Sequence, residues 1–280
     1  MILITGATGT IGSDVVLRLQ ERGVETRSMV RDLSRANGPA VLGDFADPAS
    51  LRGAVEGVEA VLMVTPFSPD LGAHDLALIE AATAAGVKKV VKLSAIGTGD
   101  SDDPDDVRTW HAHGERALMA SGMAWTVLRP STFATNAAGW ADLVKSGAPI
   151  PNMTGEGAQG HIVPADVAAV AVEALTTAGH EGRAYTLTGP ELLTTAGQVA
   201  AIAGATGLTI ETSDVPIEAA KAGMLAAGAP AALADLAATG WAFVRDGGNA
   251  ILTTTVEDVL GRPAATFASW ARANKALFTP

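Results

Sequence analysis

Three observations predict an α/β fold with helices on both faces of a parallel sheet. The chain opens on an apolar strand that runs into a glycine turn and a helix, Met1-Ile2-Leu3-Ile4-Thr5-Gly6-Ala7-Thr8-Gly9-Thr10-Ile11-Gly12. Strand and helix signals then alternate through residues 1–130, the pattern of stacked βαβ units. Hydrophobic residues make up 48% of the 280 positions, enough to bury a substantial core. Together these describe a Rossmann-type doubly wound parallel sheet with a small, mainly helical C-terminal lobe. Residues 1–130 form the dinucleotide-binding core, and 131–280 complete the sheet and build the lobe.

The opening motif carries a physical requirement at each glycine. Gly6 permits the tight turn off the strand, Gly9 leaves room for a pyrophosphate, and Gly12 lets the helix pack closely. The helix N-terminus then offers unpaired N–H groups and a positive dipole end to the phosphates. Ser13–Gly23 continues as an amphipathic helix ended by glycine. Residues 25–30 read as a second strand, 40–44 contain a short third, and 48–56 form a helix led by Pro48. The apolar run 60–64 is a strand buried on both faces. A helix over 75–85 stopped by Gly86, a strand over 89–94, a helix over 107–120 and a strand over 124–128 follow. Beyond Arg129-Pro130 the pattern loosens. Helices are expected over 136–146, from Pro164 through Thr176, over 194–204 and over 217–228, with one strand over 185–188 and turn-rich stretches at 149–152 and 155–157.

Bulk properties narrow the function. The formal net charge is −11 and no basic run occurs, which argues against a nucleic-acid partner. No apolar run is long enough for a bilayer, and no charged signal-peptide region opens the chain, so a cytoplasmic location is expected. With no cysteine there is no disulfide framework, thiolate nucleophile or Cys-ligated metal. The five aspartates of segment 99–106 read as a solvated loop leading into a helix, and no second ligand cluster accompanies them to hold a metal. The oligomeric state is left open.

The glycine motif points to a dinucleotide, with Gly6, Thr8, Gly9, Thr10 and Ile11 around its phosphates. The second strand ends on Val30-Arg31-Asp32. Arg31 can pair with a ribose 2′-phosphate, with Arg35 assisting, and this favours NADPH. Asp32 is the competing signal, since a carboxylate facing the ribose hydroxyls would favour NAD. Asp44 is expected near the adenine amino group and Phe45 near the ring, although core packing explains Phe45 equally well. Thr65 and Pro66 close the fourth strand and line the same crevice.

The ordered set Gly6–Gly12, Val30-Arg31-Asp32, Lys92-Leu93-Ser94, Trp125–Pro130, Val163–Ala168 and the tail Leu260–Phe267 resembles the NmrA-like group of atypical short-chain dehydrogenase/reductases over almost the whole chain. The resemblance implies NADPH-dependent reduction of quinones, azo compounds or ketones, including ketoreductases that tailor bacterial aromatic polyketides in antibiotic biosynthesis. It also admits redox sensors that bind NADP(H) without catalysis. It further implies that Ser94 and Pro130 flank the nicotinamide. The parent family's Tyr-x-x-x-Lys pair is missing. Aligned on Glu115 and Gly122, the lysine position falls on His111 and the tyrosine position on Val107, and the sole tyrosine is Tyr185.

Three accounts of the missing acid follow. An electron-poor substrate can accept hydride with its proton coming from a neighbouring phenol on the substrate, a water, Ser94 or a histidine. His111, or less readily His113, can be the acid, because histidine titrates near neutrality. Or the protein is a non-catalytic sensor. We take Ser94 and His111 as the catalytic candidates. Phe133, Asn136, Trp140, Met153, His161, Met224, Leu225, Trp241 and Phe243 are candidates for an apolar wall around an aromatic or polycyclic substrate, against the competing reading of lobe core.

Overall fold

The computed structural model describes residues 1–99 and 108–279, with the side chain of Arg108 left out. The expected aspartate-rich loop and the Val107 position lie outside the described residues. In chain order the elements are β1 (Ile2–Ile4), α1 (Thr10–Glu21), β2 (Thr26–Val30), β3 (Ala40–Leu42), α2 (Pro48–Ala54), β4 (Ala60–Met63), α3 (Leu71–Ala84), β5 (Lys89–Leu93), α4 (Arg108–Ala120) and β6 (Ala124–Pro130). Then come α5 (Ala141–Ser146), β7 (Ile150–Asn152), α6 (Pro164–Thr176), β8 (Arg183–Leu187), α7 (Thr195–Thr206), β9 (Thr212–Asp214), α8 (Ile217–Ala226), α9 (Ala231–Arg245), α10 (Thr255–Leu260) and α11 (Phe267–Ala273). Short 3-10 turns occupy Leu33–Arg35, Ala134–Trp140 and Lys275–Leu277.

The chain divides into two compact units. The first comprises residues 1–130, 164–187 and 258–261, and the second residues 131–163, 188–257 and 262–280. The first unit holds a seven-stranded sheet in the order β3-β2-β1-β4-β5-β6-β8, parallel at every pairing. These are the seven strands expected from sequence. Their buried runs need covering on both faces. Leu51 and Ala54 of α2, Leu78 of α3 and Leu118 of α4 join Leu3, Val61, Val90 and Val127 in one core layer. On the opposite face α1 packs against α6, whose buried face is built of Val and Ala that allow close approach.

The strand order reverses between β1 and β4, the position at which such sheets bind ligands. Thr5 laces this junction: its Oγ1 contacts the Leu62 and Val64 carbonyls at 3.2 and 3.0 Å and accepts from the Val64 N–H at 2.7 Å.

The second unit is mainly helical, with a two-stranded parallel sheet of β7 and β9. Asn152 fastens that sheet to the following turn, donating to Asp214 Oδ1 at 2.9 Å and to the Gly155 carbonyl at 3.2 Å. Its core gathers Ile150, Val199, Ile202, Phe267, Trp270 and Phe278. Several elements differ from expectation here. The helix expected over 136–146 is a 3-10 turn followed by the six-residue α5, and α9, α10 and α11 had no predicted counterpart. In the first unit α3 begins at Leu71, four residues ahead of its expected start. Among the described residues no helix is long and apolar enough to cross a membrane.

Candidate active site

The glycine turn is built as its sequence requires. Gly6 sits at φ +61°, and a Cβ there would lie 2.9 Å from Val64 Cγ1, so both the backbone and the neighbouring strand exclude a side chain. A Cβ on Gly12 would fall 2.2 Å from the Gly6 carbonyl oxygen. Gly12 thus lets α1 close onto the turn itself, where the sequence suggested only helix-to-sheet packing. Gly9 is less constrained, its Cβ meeting only the Gly6 oxygen at 3.3 Å. It is the N-cap residue of α1 and contributes no capping side chain, so the first amides of the helix remain open to a ligand.

A cavity of about 320 Å³ opens at these C-terminal strand ends. Gly6, Thr8 and Gly9 follow β1, Arg31, Asp32 and Arg35 follow β2, Asp44 and Phe45 follow β3, and Thr65 and Pro66 follow β4; all line it, with His74 of α3. Thr10, Ile11, Ser94 and Pro130 do not. The Asp32 carboxylate accepts from the Ser34 N–H at 2.9 Å, capping the 3-10 turn, and hydrogen bonding from the Ser34 side chain first, then from this N–H, holds its pKa below the usual carboxylate value. Asp32 is therefore committed to its own backbone, while Arg31 and Arg35 border the cavity. Asp44 likewise accepts from the Ala46 N–H at 3.0 Å. Phe45 is buried in the core and also lines the cavity, with its ring 5.7 Å from that of His74. His74 Nδ1 is buried and has no partner among the described residues. The residues fit a dinucleotide: a turn closed to side chains, open helix amides, two arginines beyond β2 and an aromatic ring beyond β3.

Behind Thr65 lies a polar chain that sequence analysis did not assemble. Thr65 Oγ1 donates to Asp75 Oδ1 at 2.5 Å, and Asp75 Oδ2 lies 2.6 Å from Lys92 Nζ, both side chains wholly buried. Burial raises the Asp75 carboxyl above its ordinary range, with Lys92 opposing the shift. Lys92 Nζ also stands 3.4 Å from His111 Nδ1. A lysine can only donate, so Nδ1 accepts and the ring proton resides on Nε2. Gly114 makes the arrangement possible, since a Cβ there would lie 2.0 Å from Asp75 Oδ2.

Both catalytic candidates take different forms from those expected. Burial first, and Lys92 second, push His111 down to about 3. Its imidazole is neutral near pH 7, where the sequence suggested a group titrating there. Ser94 Oγ donates to Glu115 Oε1 at 2.5 Å, and Arg129 pairs with the same carboxylate. A hydroxyl donating to a carboxylate is not placed to give its proton elsewhere. Tyr185 lies on β8 and bonds His180 Nδ1 at 2.9 Å.

The second unit contains its own cavity of about 430 Å³. Of the proposed wall residues, Asn136, Trp140, Met153, His161 and Trp241 line it; Phe133, Met224, Leu225 and Phe243 do not. Gly157 packs against α9, where a Cβ would meet the Val244 carbonyl oxygen at 2.4 Å, and this brings the Trp241 face of the helix over the 153–161 loop.

Comparison with known proteins agrees with this geometry. A family model described as NAD(P)H-binding matches residues 6–178. The chain is 39% identical to an NAD(P)H azoreductase of Xenophilus azovorans across 99% of each chain. It is 36% identical to a (4-alkanoyl-5-oxo-2,5-dihydrofuran-3-yl)methyl phosphate reductase of Streptomyces griseus over the full length of both. The crystal structure of an Escherichia coli NADPH-dependent quinone oxidoreductase in complex with NADPH superposes with a TM-score of 0.89 at 27% identity, covering 98% of this chain and 99% of that one.

Proposed function

The chain belongs to the NAD(P)H-binding family, among the NmrA-like atypical short-chain dehydrogenase/reductases, and is an NADPH-dependent reductase; we propose that its second substrate is a quinone or an electron-poor carbonyl on an aromatic or polycyclic ring. The observation that carries the substrate class is the second unit's cavity, walled by Trp140, Met153 and Trp241 and large enough for fused rings. Relatives named as azoreductase and quinone oxidoreductase point the same way. A ketoreductase that tailors aromatic polyketides falls within the same class.

The glycine-turn amides hold the pyrophosphate, Arg31 and Arg35 the 2′-phosphate, and Phe45 with His74 the adenine. Thr65 is fixed by Asp75 and keeps the crevice wall in place. When bound, NADPH supplies a hydride, which with one proton from water converts a quinone to a hydroquinone and leaves NADP⁺. The chain's own side chains give reasons for the external proton: Ser94 is engaged with Glu115, and His111 is neutral. His111 acts as a fixed Nε2–H donor, with Lys92 setting its tautomer. Positioning then provides most of the rate.

The test is NADPH consumption against a panel of quinones, polycyclic ketones and simple aldehydes. Turnover concentrated on quinones and polycyclic ketones is expected. Tight NADPH binding with no turnover of any member would favour the sensor reading instead.

A further inference from the structure

The second unit's cavity has a thin stretch of wall, and it lies on α9. Ala237, Gly240, Trp241 and Val244 all line the cavity. At about 3.6 residues per turn these four fall within about 100° of the helix circumference, so they share one face of α9. Ala237 and Gly240 leave a notch in that face beside the Trp241 indole. Elsewhere the wall carries large side chains such as Trp140 and Met153, and Trp140 packs against the unit's hydrophobic core, which leaves it little freedom to yield.

Nothing in the protein requires a glycine at 240. The residue lies inside α9, outside the left-handed region, and a Cβ there would meet no atom within 4 Å. Gly157 is the contrast on the same cavity's flank, since its Cβ would strike the Val244 carbonyl oxygen at 2.4 Å. A glycine inside a helix weakens it relative to alanine. At 240 neither strain nor a close approach offsets that weakening. What the missing Cβ leaves is open volume on the cavity face. Gly53, Gly204 and Gly223 are equally unobstructed within their helices, but none of them lines the cavity.

We propose that Gly240 is the size-determining position of this cavity: its notch admits the second ring of a fused bicyclic quinone beside Trp241, where a side chain would leave room for a single ring. The inference rests on the reading of this cavity as the substrate site. Its selectivity is steric. A side chain at 240 displaces no protein atom and takes ligand volume instead, and overfilling a packed site penalises the larger ligand.

The test is calorimetric binding of 1,4-naphthoquinone and 1,4-benzoquinone to the full chain loaded with NADP⁺, so that no hydride is available and binding is read alone. Wild type should prefer the two-ring quinone by about tenfold. Gly240→Leu should lower naphthoquinone affinity about tenfold and hold benzoquinone affinity within about twofold, with NADP⁺ affinity unchanged. Gly240→Ala should show part of that loss while raising the melting temperature by about 1–3 °C, and it serves if the Leu variant misfolds. Gly223→Ala makes the same exchange away from the cavity. It should give a similar thermal gain with neither quinone affected. Unchanged naphthoquinone affinity in both Gly240 variants, or equal loss of both quinones with the fold intact, would overturn the assignment. So would an equal naphthoquinone loss in Gly223→Ala, which would trace the effect to a stiffer helix. Wild type that binds neither quinone overturns this inference and the substrate class together. Otherwise the two readings separate: size-selective, Gly240-dependent binding with no NADPH oxidation sinks the reductase substrate class alone, and naphthoquinone turnover with a KM indifferent to Gly240→Leu sinks this inference alone.

Discussion

Each unit buries a histidine, and the two are solved differently. His111 in the first unit accepts from Lys92, which is paired with Asp75, which in turn holds Thr65 at the edge of the dinucleotide cavity. His161 in the second unit is as deeply buried and has no such partner among the described residues. Burial holds both below their ordinary range, to about 3 and about 4. The contrast separates a histidine fixed by polar partners from one fixed by packing. A closed polar network fixes geometry and is finished before any ligand arrives. A buried imidazole without such partners is held by packing alone, here against Phe267.

The largest effect should come from opening the closed network. Lys92→Met leaves the Asp75 carboxyl buried without its cation, and removing one member of a buried pair typically costs about 3–5 kcal/mol. Chemical denaturation should show that loss, and a double Asp75→Leu/Lys92→Met variant should regain much of it, because an apolar pair has no charge to leave stranded. His161→Phe should by contrast be near neutral or stabilising. Equal costs for Lys92→Met and His161→Phe would erase the distinction between the two histidines.

Acid should bear on both histidines alike. Each is held neutral in the fold, with a pKa below the unfolded value of 6.5, so the unfolded chain binds protons first as pH falls. The stability they contribute is complete above pH 6.5. It is lost toward about pH 4 for His161 and about pH 3 for His111, at about 1.4 kcal/mol per histidine for each pH unit. Denaturation midpoints between pH 7 and 4 should follow that slope, and His161→Phe should remove one histidine's share. An unchanged slope in the variant would mean that the ring is already protonated in the folded protein.

Arg31→Ala sharpens the comparison on the ligand side, since Arg31 lines the dinucleotide cavity. A charge-assisted bidentate contact predicts about a 10–100-fold loss of NADPH affinity with NADH affinity nearly unchanged, measured by calorimetry. Equal losses for both cofactors would show that Arg31 does not read the 2′-phosphate.

What the sequence revealed follows from how local each signal is. The seven strands were legible because buried parallel strands are apolar runs between helices. The glycine turn and Arg31 were legible because their neighbours in sequence are their neighbours in space. Asp75 was not. A carboxylate near a helix start reads as a first-turn residue, and the helix was started there, but this one faces Lys92 on β5 and Gly114 on α4. That grouping of α3, β5 and α4 exists only in the fold. The spacing His111-x-x-Gly114-Glu115 was the available clue, since a glycine beside a buried glutamate marks a close helix approach. The helix α9 was missed because it buries only Ala234 and Val244, too thin an apolar face to stand out in an Ala- and Gly-rich stretch.

The smallest effect should come from the sole tyrosine. Tyr185 invites assignment as the missing family acid, yet its hydroxyl bonds His180 Nδ1 at 2.9 Å, and His180 Nε2 in turn lies 3.0 Å from Thr177 Oγ1. The two rings meet edge to face with centroids 5.8 Å apart. This small chain ties the 177–185 turn to β8. Partial burial raises the phenol above its ordinary value, so no lowered pKa equips it as an acid near neutrality. Tyr185→Phe loses one hydrogen bond, about 0.5–1.5 kcal/mol, and keeps the ring contact. Its kcat on a quinone should stay within about twofold of wild type, since a group outside the proton path forfeits none of the 10²–10⁴-fold that a positioned acid supplies. Steady-state kinetics beside thermal denaturation would check both numbers. A collapse of kcat with fold and NADPH affinity intact would instead bring Tyr185 into the reaction and make its bond to His180 a proton path.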